Sequence, residues 1–424
     1  MNIQSLVSKV QTLNLQKVIL QTKTFWSKIK NKEPEEVYLT VNIIRAIGGA
    51  FTGTAYGLTL LGGGLNLFTM MLPNVIFFSM NSFLEISTGI FADRYSLKVS
   101  VRLGLLFWAL GMFFYGIAGH IPTISPLIGF IIGEMTAALG SAFISGAFFA
   151  LVKKTSNKSE KEIRNIEAKA RAYGGYAGLI ASAFSGVAIV ILGVSSVWFV
   201  SSILSLFALA VFEKYMPDAF RKNEKSEDQL NSWHTLTVAI GYFRENKNSR
   251  YILFGNAMLE FCFQPLNMYW SLIFRDLFGE IITGIIWSAS TFLYAFGSDK
   301  TRHEKREINS HYMMLAAFKI SLLIMLGMII GNLGITVSIA LGFILHEFWR
   351  GQLRSIMNAR IVSTSDPLIH ATVMSAGETL MHYSRIAGLL TFGLFALRFG
   401  ILTTWLLSGT LMLISVIFFF FSGE

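Results

Sequence analysis

Long apolar runs separated by short polar breaks repeat along the sequence from about residue 37 to its end. Each run is close to the roughly 20 residues that an α-helix needs to cross hydrocarbon. The first half predicts spanning helices over 37–60, 66–91, 99–118, 124–151, 172–194 and 196–213. The second half predicts them over 251–275, 280–297, 312–330, 333–351, 372–396 and 399–421. Only Gly193 and its neighbours part the fifth from the sixth. The longest polar stretch, 213–250, holds Met216-Pro217-Asp218 and a charge-mixed run from Arg221 to Asp228, and reads as a solvated linker. The expected fold is an all-α polytopic membrane protein, with twelve transmembrane helices in two six-helix bundles. Residues 1–36 form an N-terminal segment, 37–213 one bundle, 214–250 the linker and 251–424 the second bundle.

Within the first segment Ile3, Leu6, Val7, Val10 and Leu13 fall at helical spacing with lysines among polar neighbours. Two readings stay open there: an interfacial helix on the membrane surface, or a basic tail before the first span. No compact apolar core follows the first basic residues, so no cleavable signal peptide is expected.

Composition agrees with the pattern. Of 424 residues, 53% are hydrophobic and 14% charged, with a mean hydropathy of +0.56; a soluble domain carries about a quarter charged residues. The net charge of +10 invites a nucleic-acid reading, but the cations are distributed by topology. Arg94, Lys98 and Arg102, then Lys153 and Lys154, Lys222, Arg244 and Lys247, Lys300 to Arg306, and Arg350, Arg354 and Arg360 all fall in alternate connections. The remaining connections hold Arg275 and Arg398. This is the bias of cytoplasmic loops, so both termini are expected inside and no nucleic-acid partner is expected. The single cysteine, Cys262, excludes an intramolecular disulfide.

The strongest local motif closes the second span: Glu85-Ile-Ser-Thr-Gly89-Ile-Phe-Ala-Asp93-Arg94-Tyr-Ser96-Leu97-Lys98. It resembles the signature loop between spans two and three of the major facilitator superfamily, with Ser96 where that family usually has glycine and Leu97 where it usually has a basic residue. The resemblance implies that Asp93 latches the cytoplasmic side closed, with Glu85, Gly89, Arg94 and Lys98 around it. Two further patches carry the same likeness. Gly140-Ser-Ala-Phe-Ile-Ser145-Gly146-Ala147 resembles the small-residue face of drug-efflux-like members, and also suits close helix packing. The stretch from Asn358 through Arg360 to His370-Ala371-Thr372 resembles the approach to span eleven, with His370 where arginine is usual. The arginine motif of span four and the Gly-Pro motif of span five that mark proton antiporters are absent.

Ionisable residues within a bilayer cost about 2.5–3.5 kcal/mol even on lenient scales and so point to function. At about 1.5 Å per residue, Arg45 lies roughly 12 Å into span one, Glu134 about 15 Å into span four and Glu260 about 14 Å into span seven. All three reach midplane depth, where transporter sites lie. Two arrangements fit: a shared aqueous cavity in which a glutamate accepts a proton, or a static Arg45–Glu134 pair joining two helices. Span seven adds Gln264, Asn267, Tyr269 and Trp270 as candidate substrate contacts, with Pro265 interrupting its hydrogen-bond ladder. His346, Glu347 and Arg350 fall near the inner end of span ten and suggest a cytoplasmic gate. Glu378, His382 and Arg385 share a face of span eleven and read as a structural network.

The seven histidines show no His-Glu-x-x-His pattern, and no Gly-Lys-Ser/Thr phosphate loop is present. No metal, cofactor or enzymatic activity is expected. The resemblance implies alternating-access transport of a small molecule, coupled to protons, by a monomer among membrane lipids, in a plasma membrane such as a bacterial inner membrane. The drug-efflux-like patches point to export of an amphipathic compound. The alternatives are uptake of a polar metabolite, or a non-transporting receptor or scaffold.

Overall fold

The computed structural model describes residues 33–120, 125–156, 160–217, 232–303, 310–365 and 370–423. Among these residues the regular structure is helical. In chain order the helices are α1 (Pro34–Gly62), α2 (Leu72–Arg94), α3 (Leu97–Ile117), α4 (Pro126–Ile144), α5 (Ala147–Thr155), α6 (Glu160–Leu192), α7 (Ser196–Tyr215), α8 (Ser232–Glu245), α9 (Lys247–His303), α10 (Ser310–Asn332), α11 (Val337–Thr364), α12 (His370–Phe399), α13 (Ile401–Leu411) and α14 (Leu413–Phe421). A 3-10 turn, Thr69–Met71, leads into α2. Among the described residues, eight helical stretches are long and apolar enough to cross a membrane by length and composition.

Local sequence explains the starts and breaks. Pro34 opens α1 where its missing N–H costs nothing, and Glu35 and Glu36 sit in the first turn, favourable to the helix dipole. Ser96 caps α3, accepting from the Val99 N–H at 3.4 Å. α9 is two helices joined at Gly279, whose φ of 80° and ψ of 169° interrupt the rod between the expected seventh and eighth spans. Gly193, at φ 83°, parts α6 from α7 in the same way. Only glycine enters that region freely, which is how so short a break reverses the chain. The linker contains more order than its polarity predicts. Within it α8 docks through buried Phe243, while the Tyr242 hydroxyl bonds Ser249 at 2.6 Å and Thr364 at 2.8 Å.

Three apolar cores hold the helices together. One is drawn from 37–216 and one from 243–419. The third joins Ala55, Met112, Tyr115 and Trp198 to Met268, Tyr269, Leu272 and Leu389. Outward faces stay apolar: Phe184 and Ile191 on α6, Ile203 and Phe207 on α7, and Leu322 and Ile329 on α10 are exposed. Continuous apolar surface of this kind fits lipid rather than water. The small residues of α4 are consumed in packing on α3. A Cβ on Gly140 would stand 2.5 Å from the Trp108 backbone nitrogen, and one on Gly111 2.8 Å from that of Ala137.

Candidate functional site

Between the two sequence halves lies a cavity of about 300 Å³. Thr52, Gly53 and Tyr56 of α1, with Asn74 and Phe78 of α2, form one side. The other side is Gln264, Asn267, Met268 and Trp270 of α9, Trp287 beyond its bend, and Phe343 and Glu347 of α11. A second cavity of about 570 Å³ begins at Trp287 and runs along α1, α6 and the later limb of α9, past Asn42, Gly174 and Thr291 to Tyr38 and Tyr294. At the opposite end the halves close on each other. The Tyr269 hydroxyl donates to the Leu67 carbonyl at 2.6 Å. Gly57 abuts the Met268 carbonyl, and Gly284 abuts the Gly186 backbone.

Two buried carboxylates flank the smaller cavity in unlike surroundings. Glu134, 5% exposed, accepts on Oε1 from the hydroxyls of Tyr56 and Tyr115, each at 2.6 Å. Tyr115 is stacked on Trp198 at 4.3 Å, and the Trp198 indole donates to Thr59 at 2.7 Å. Tyr56 thus joins Glu134 to the cavity wall. Glu260 instead meets a cation: Arg385 Nε lies 2.9 Å from its Oε2. Arg385 also lies 3.8 Å from Glu378, which is 3.9 Å from Arg354. His382 bonds Ser82 of α2 at 3.0 Å, across the halves.

The sequence candidates therefore separate. Gln264, Asn267 and Trp270 line the cavity, while Tyr269 belongs to the closed end. Pro265 has no N–H for the Phe261 carbonyl one turn back, and α13 adds donors to other carbonyls of the same stretch: Trp405 to the Pro265 carbonyl at 3.0 Å and Ser408 to the Cys262 carbonyl at 2.6 Å. Arg45 does not pair with Glu134 among the described residues. Its guanidinium lies 5.9 Å over the Trp108 ring, and its Nε is buried without a partner. His346, Glu347 and Arg350 do not stand at a helix's inner end. α11 continues to Thr364, which places this turn mid-helix: Glu347 in the cavity wall, Arg350 2.9 Å from Glu347 and 3.2 Å from the Asn267 amide oxygen, and His346 fully buried against the Phe343 carbonyl. The side chains of Glu85, Gly89, Asp93 and Arg94 lie outside the described residues, as do residues 1–32 and most side chains of the Asn358–Thr372 patch. Lys98 is described: its Nζ donates to the Met216 carbonyl at 2.8 Å, satisfying the C-terminus of α7.

Sequence reasoning passed over Tyr56, Tyr115, Asn74, Trp287 and Phe343. Tyr56 carried one signal, since it lies three turns beyond Arg45 on nearly the same face of α1.

No protein-family model matches the chain, and no curated protein matches it by sequence. Its fold is nevertheless that of solved membrane transporters. The nucleoside transporter NupG superposes with a TM-score of 0.71 at 13% identity, over 92% of this chain and 98% of that one. A bacterial homologue of the human lysosomal transporter Spinster, inward-facing and occupied, gives 0.72 at 12% identity, over 92% and 96%. A D-xylose-proton symporter gives 0.69 at 10% identity, over 90% and 96%. At these identities the similarity establishes the fold alone: an all-helical architecture shared with these multi-pass transporters.

Proposed function

We propose that this chain is a secondary transporter that moves a small polar solute by alternating access, coupled to protons. The observation that carries the reading is the cavity between the two sequence halves, sealed at one end and continued toward the other by a second cavity. In this reading residues 37–213 and 251–424 are two six-span bundles, both termini are cytoplasmic, and the chain is held in an inward-facing state. The cation-rich connections support that orientation. The volume of about 300 Å³ lies at the small end of ligand sites. With three amides in the wall, it favours a polar metabolite over a bulky amphipathic drug. The transporters of similar fold, described as carrying nucleosides, xylose and peptides, support solutes of that size.

Glu134 is the proposed proton carrier. Its bonds are to neutral hydroxyls rather than to a cation, so a carboxylate there is costly and a proton removes the charge. Glu260 is held by Arg385 and is proposed as a fixed charge at the pivot of the second half. The test uses everted vesicles with an interior pH dye, a panel of polar and lipophilic solutes, and Glu134→Gln beside the native chain. Solute-dependent proton movement lost in Glu134→Gln supports the reading. Proton movement driven only by lipophilic cations would restore the drug-export alternative, and a folded protein that moves no solute would end the transport reading.

A further inference from the structure

The walls of the smaller cavity specify a kind of solute, if transport through it is accepted. Trp270 and Trp287 are stacked with centroids 4.7 Å apart and 17° between planes, and Phe343 continues the layer at 5.9 Å and 19°. Rings stacked in this way cover one another's faces, and Trp405 stacks on Phe343 in turn at 5.6 Å and 18°, so the stack offers another flat ring the outer face of its end member, Trp287, in the cavity wall. Three amides surround it, each partly used. Gln264 spends one N–H on the Glu260 carbonyl at 2.7 Å, and Asn74 spends one on the Met268 sulfur at 2.9 Å. Asn267 spends its oxygen on Arg350 at 3.2 Å. Left over are the amide oxygens of Gln264 and Asn74, four amide N–H groups (two on Asn267 and one each on Gln264 and Asn74), and the Trp287 indole N–H, which has no acceptor and packs beside Gly53. Asn267 is exposed and Asn74 half-buried in the cavity wall, so their spare donors and acceptors are open to a polar solute.

Charge narrows the class. Glu347, the one carboxylate in the wall, is neutralised by Arg350 at 2.9 Å, so a solute with net charge would enter uncompensated. Size narrows it further. A cavity of about 150 Å³ holds benzene, and this one is about 300 Å³. That is room for a bicyclic ring, or for one ring carrying a sugar-sized substituent.

We infer that the cavity binds an uncharged, planar nitrogen heterocycle that presents both N–H donors and carbonyl or imine acceptors at its edge. The ring extends the Trp287–Trp270–Phe343 stack at its Trp287 end, and its edge pairs with Asn74, Gln264 and Asn267. This rests on the transport reading for its physiological meaning but not for its binding chemistry, so binding and flux are measured apart.

The purified full chain is titrated with hypoxanthine, uracil and nicotinamide, and with xylose, dialanine and tetraphenylphosphonium as contrasts. Binding is followed by tryptophan fluorescence and equilibrium dialysis, and exchange of the labelled solutes by counterflow in proteoliposomes. Expected are saturable quenching and exchange by at least one heterocycle, and none by xylose or dialanine. Asn267→Leu is expected to weaken heterocycle binding about tenfold or more, with Asn267→Gln recovering part of it. Unchanged size-exclusion and thermal profiles certify the fold of both variants. A heterocycle that binds but does not exchange keeps the ligand class and removes transport. Exchange of xylose, dialanine or the cation without heterocycle binding keeps transport and overturns the ligand class. Absence of heterocycle binding to folded protein overturns it as well.

Discussion

Arg385 of α12 and Glu260 of α9, 125 positions apart in sequence, meet with Nε 2.9 Å from Oε2 in side chains 12% and 11% exposed. Glu260 finds its cation on the other helix, and Arg385 lies closer to Glu260 than to Glu378 of its own helix at 3.8 Å, so the contact fixes the rotation of one helix against the other. Removing one partner of a buried pair costs about 3–5 kcal/mol, whereas replacing both with apolar residues is often neutral. Arg385→Leu should therefore lower the thermal unfolding midpoint sharply in a fixed detergent. Adding Glu260→Leu should recover most of the loss. Additive losses in the double variant would mean that the two side chains act separately.

A second carboxylate answers to a different chemistry. Two tyrosine hydroxyls converge on Glu134 Oε1 at 2.6 Å, and hydrogen bonds to a charged group are worth about 1.5–3 kcal/mol. Tyr115 is 2% exposed and packed against Trp198, while Tyr56 borders the cavity. Tyr115→Phe is expected to reduce stability by about that amount. Tyr56→Phe should act mainly on proton-coupled flux, measured in the pH-dye assay. Equal effects of the two variants on both readouts would remove the distinction between a packing tyrosine and a cavity tyrosine.

How much of this was legible follows from what each signal depends on. The helices were readable because apolar run length is a local property, and Gly193 and Gly279 mark breaks that only the backbone has to make. Glu134 and Glu260 stood out because charge in an apolar run is expensive wherever it points. Their partners did not stand out. Arg45 and Glu134 share a depth, but depth leaves rotation open, and the structure turns Glu134 toward two tyrosines. Trp287 and Phe343 carry no local mark among 8 tryptophans and 37 phenylalanines; only the packing of α9 on α11 brings them into one stack with Trp270. His346 to Arg350 were expected near the end of their helix because its apolar run stops near 351, whereas the helix itself continues through polar residues to Thr364.

The close approach of α3 and α4 gives a prediction about packing alone. A Cβ on Gly140 would meet backbone atoms of Trp108 and the Gly104 carbonyl at 2.5–2.9 Å, and backbone cannot step aside as a side chain can. Overpacking costs about 1–3 kcal/mol. Gly140→Ala should lower the melting temperature, whereas Gly49→Ala, with nothing within 4 Å of its added Cβ, should not. Equal melting of the two variants would show that α3 and α4 have slack at this crossing.

Topology can be read with the chain's own cysteine economy. Cys262 is fully buried and should resist maleimide in the native protein. In a Cys262→Ala background, Gly64→Cys and Lys300→Cys place single thiols at exposed positions on ends expected to face opposite sides. An impermeant maleimide added to intact cells should label the first and spare the second. The reverse pattern would invert the orientation drawn from the cation distribution.

The seal between the halves offers the most direct test of alternating access. α6 and the later limb of α9 touch backbone to backbone where a Cβ on Gly284 would stand 2.9 Å from the Gly186 nitrogen and 3.0 Å from the Ser182 carbonyl. A valine at 284 has to part these helices at the end expected to face outward. The cost of about 1–3 kcal/mol for such overpacking falls on the sealed state alone if the helices separate in the other state. A differential of that size shifts the ratio of two states by about 5- to 150-fold. Thr52→Cys, in the cavity wall, should then react faster with reagent added outside and slower from inside in Gly284→Val than in its parent. If the variant is folded and both rates stay as they were, this contact is not the seal, and the closed end must be held elsewhere, with the Tyr269–Leu67 contact next to be tested.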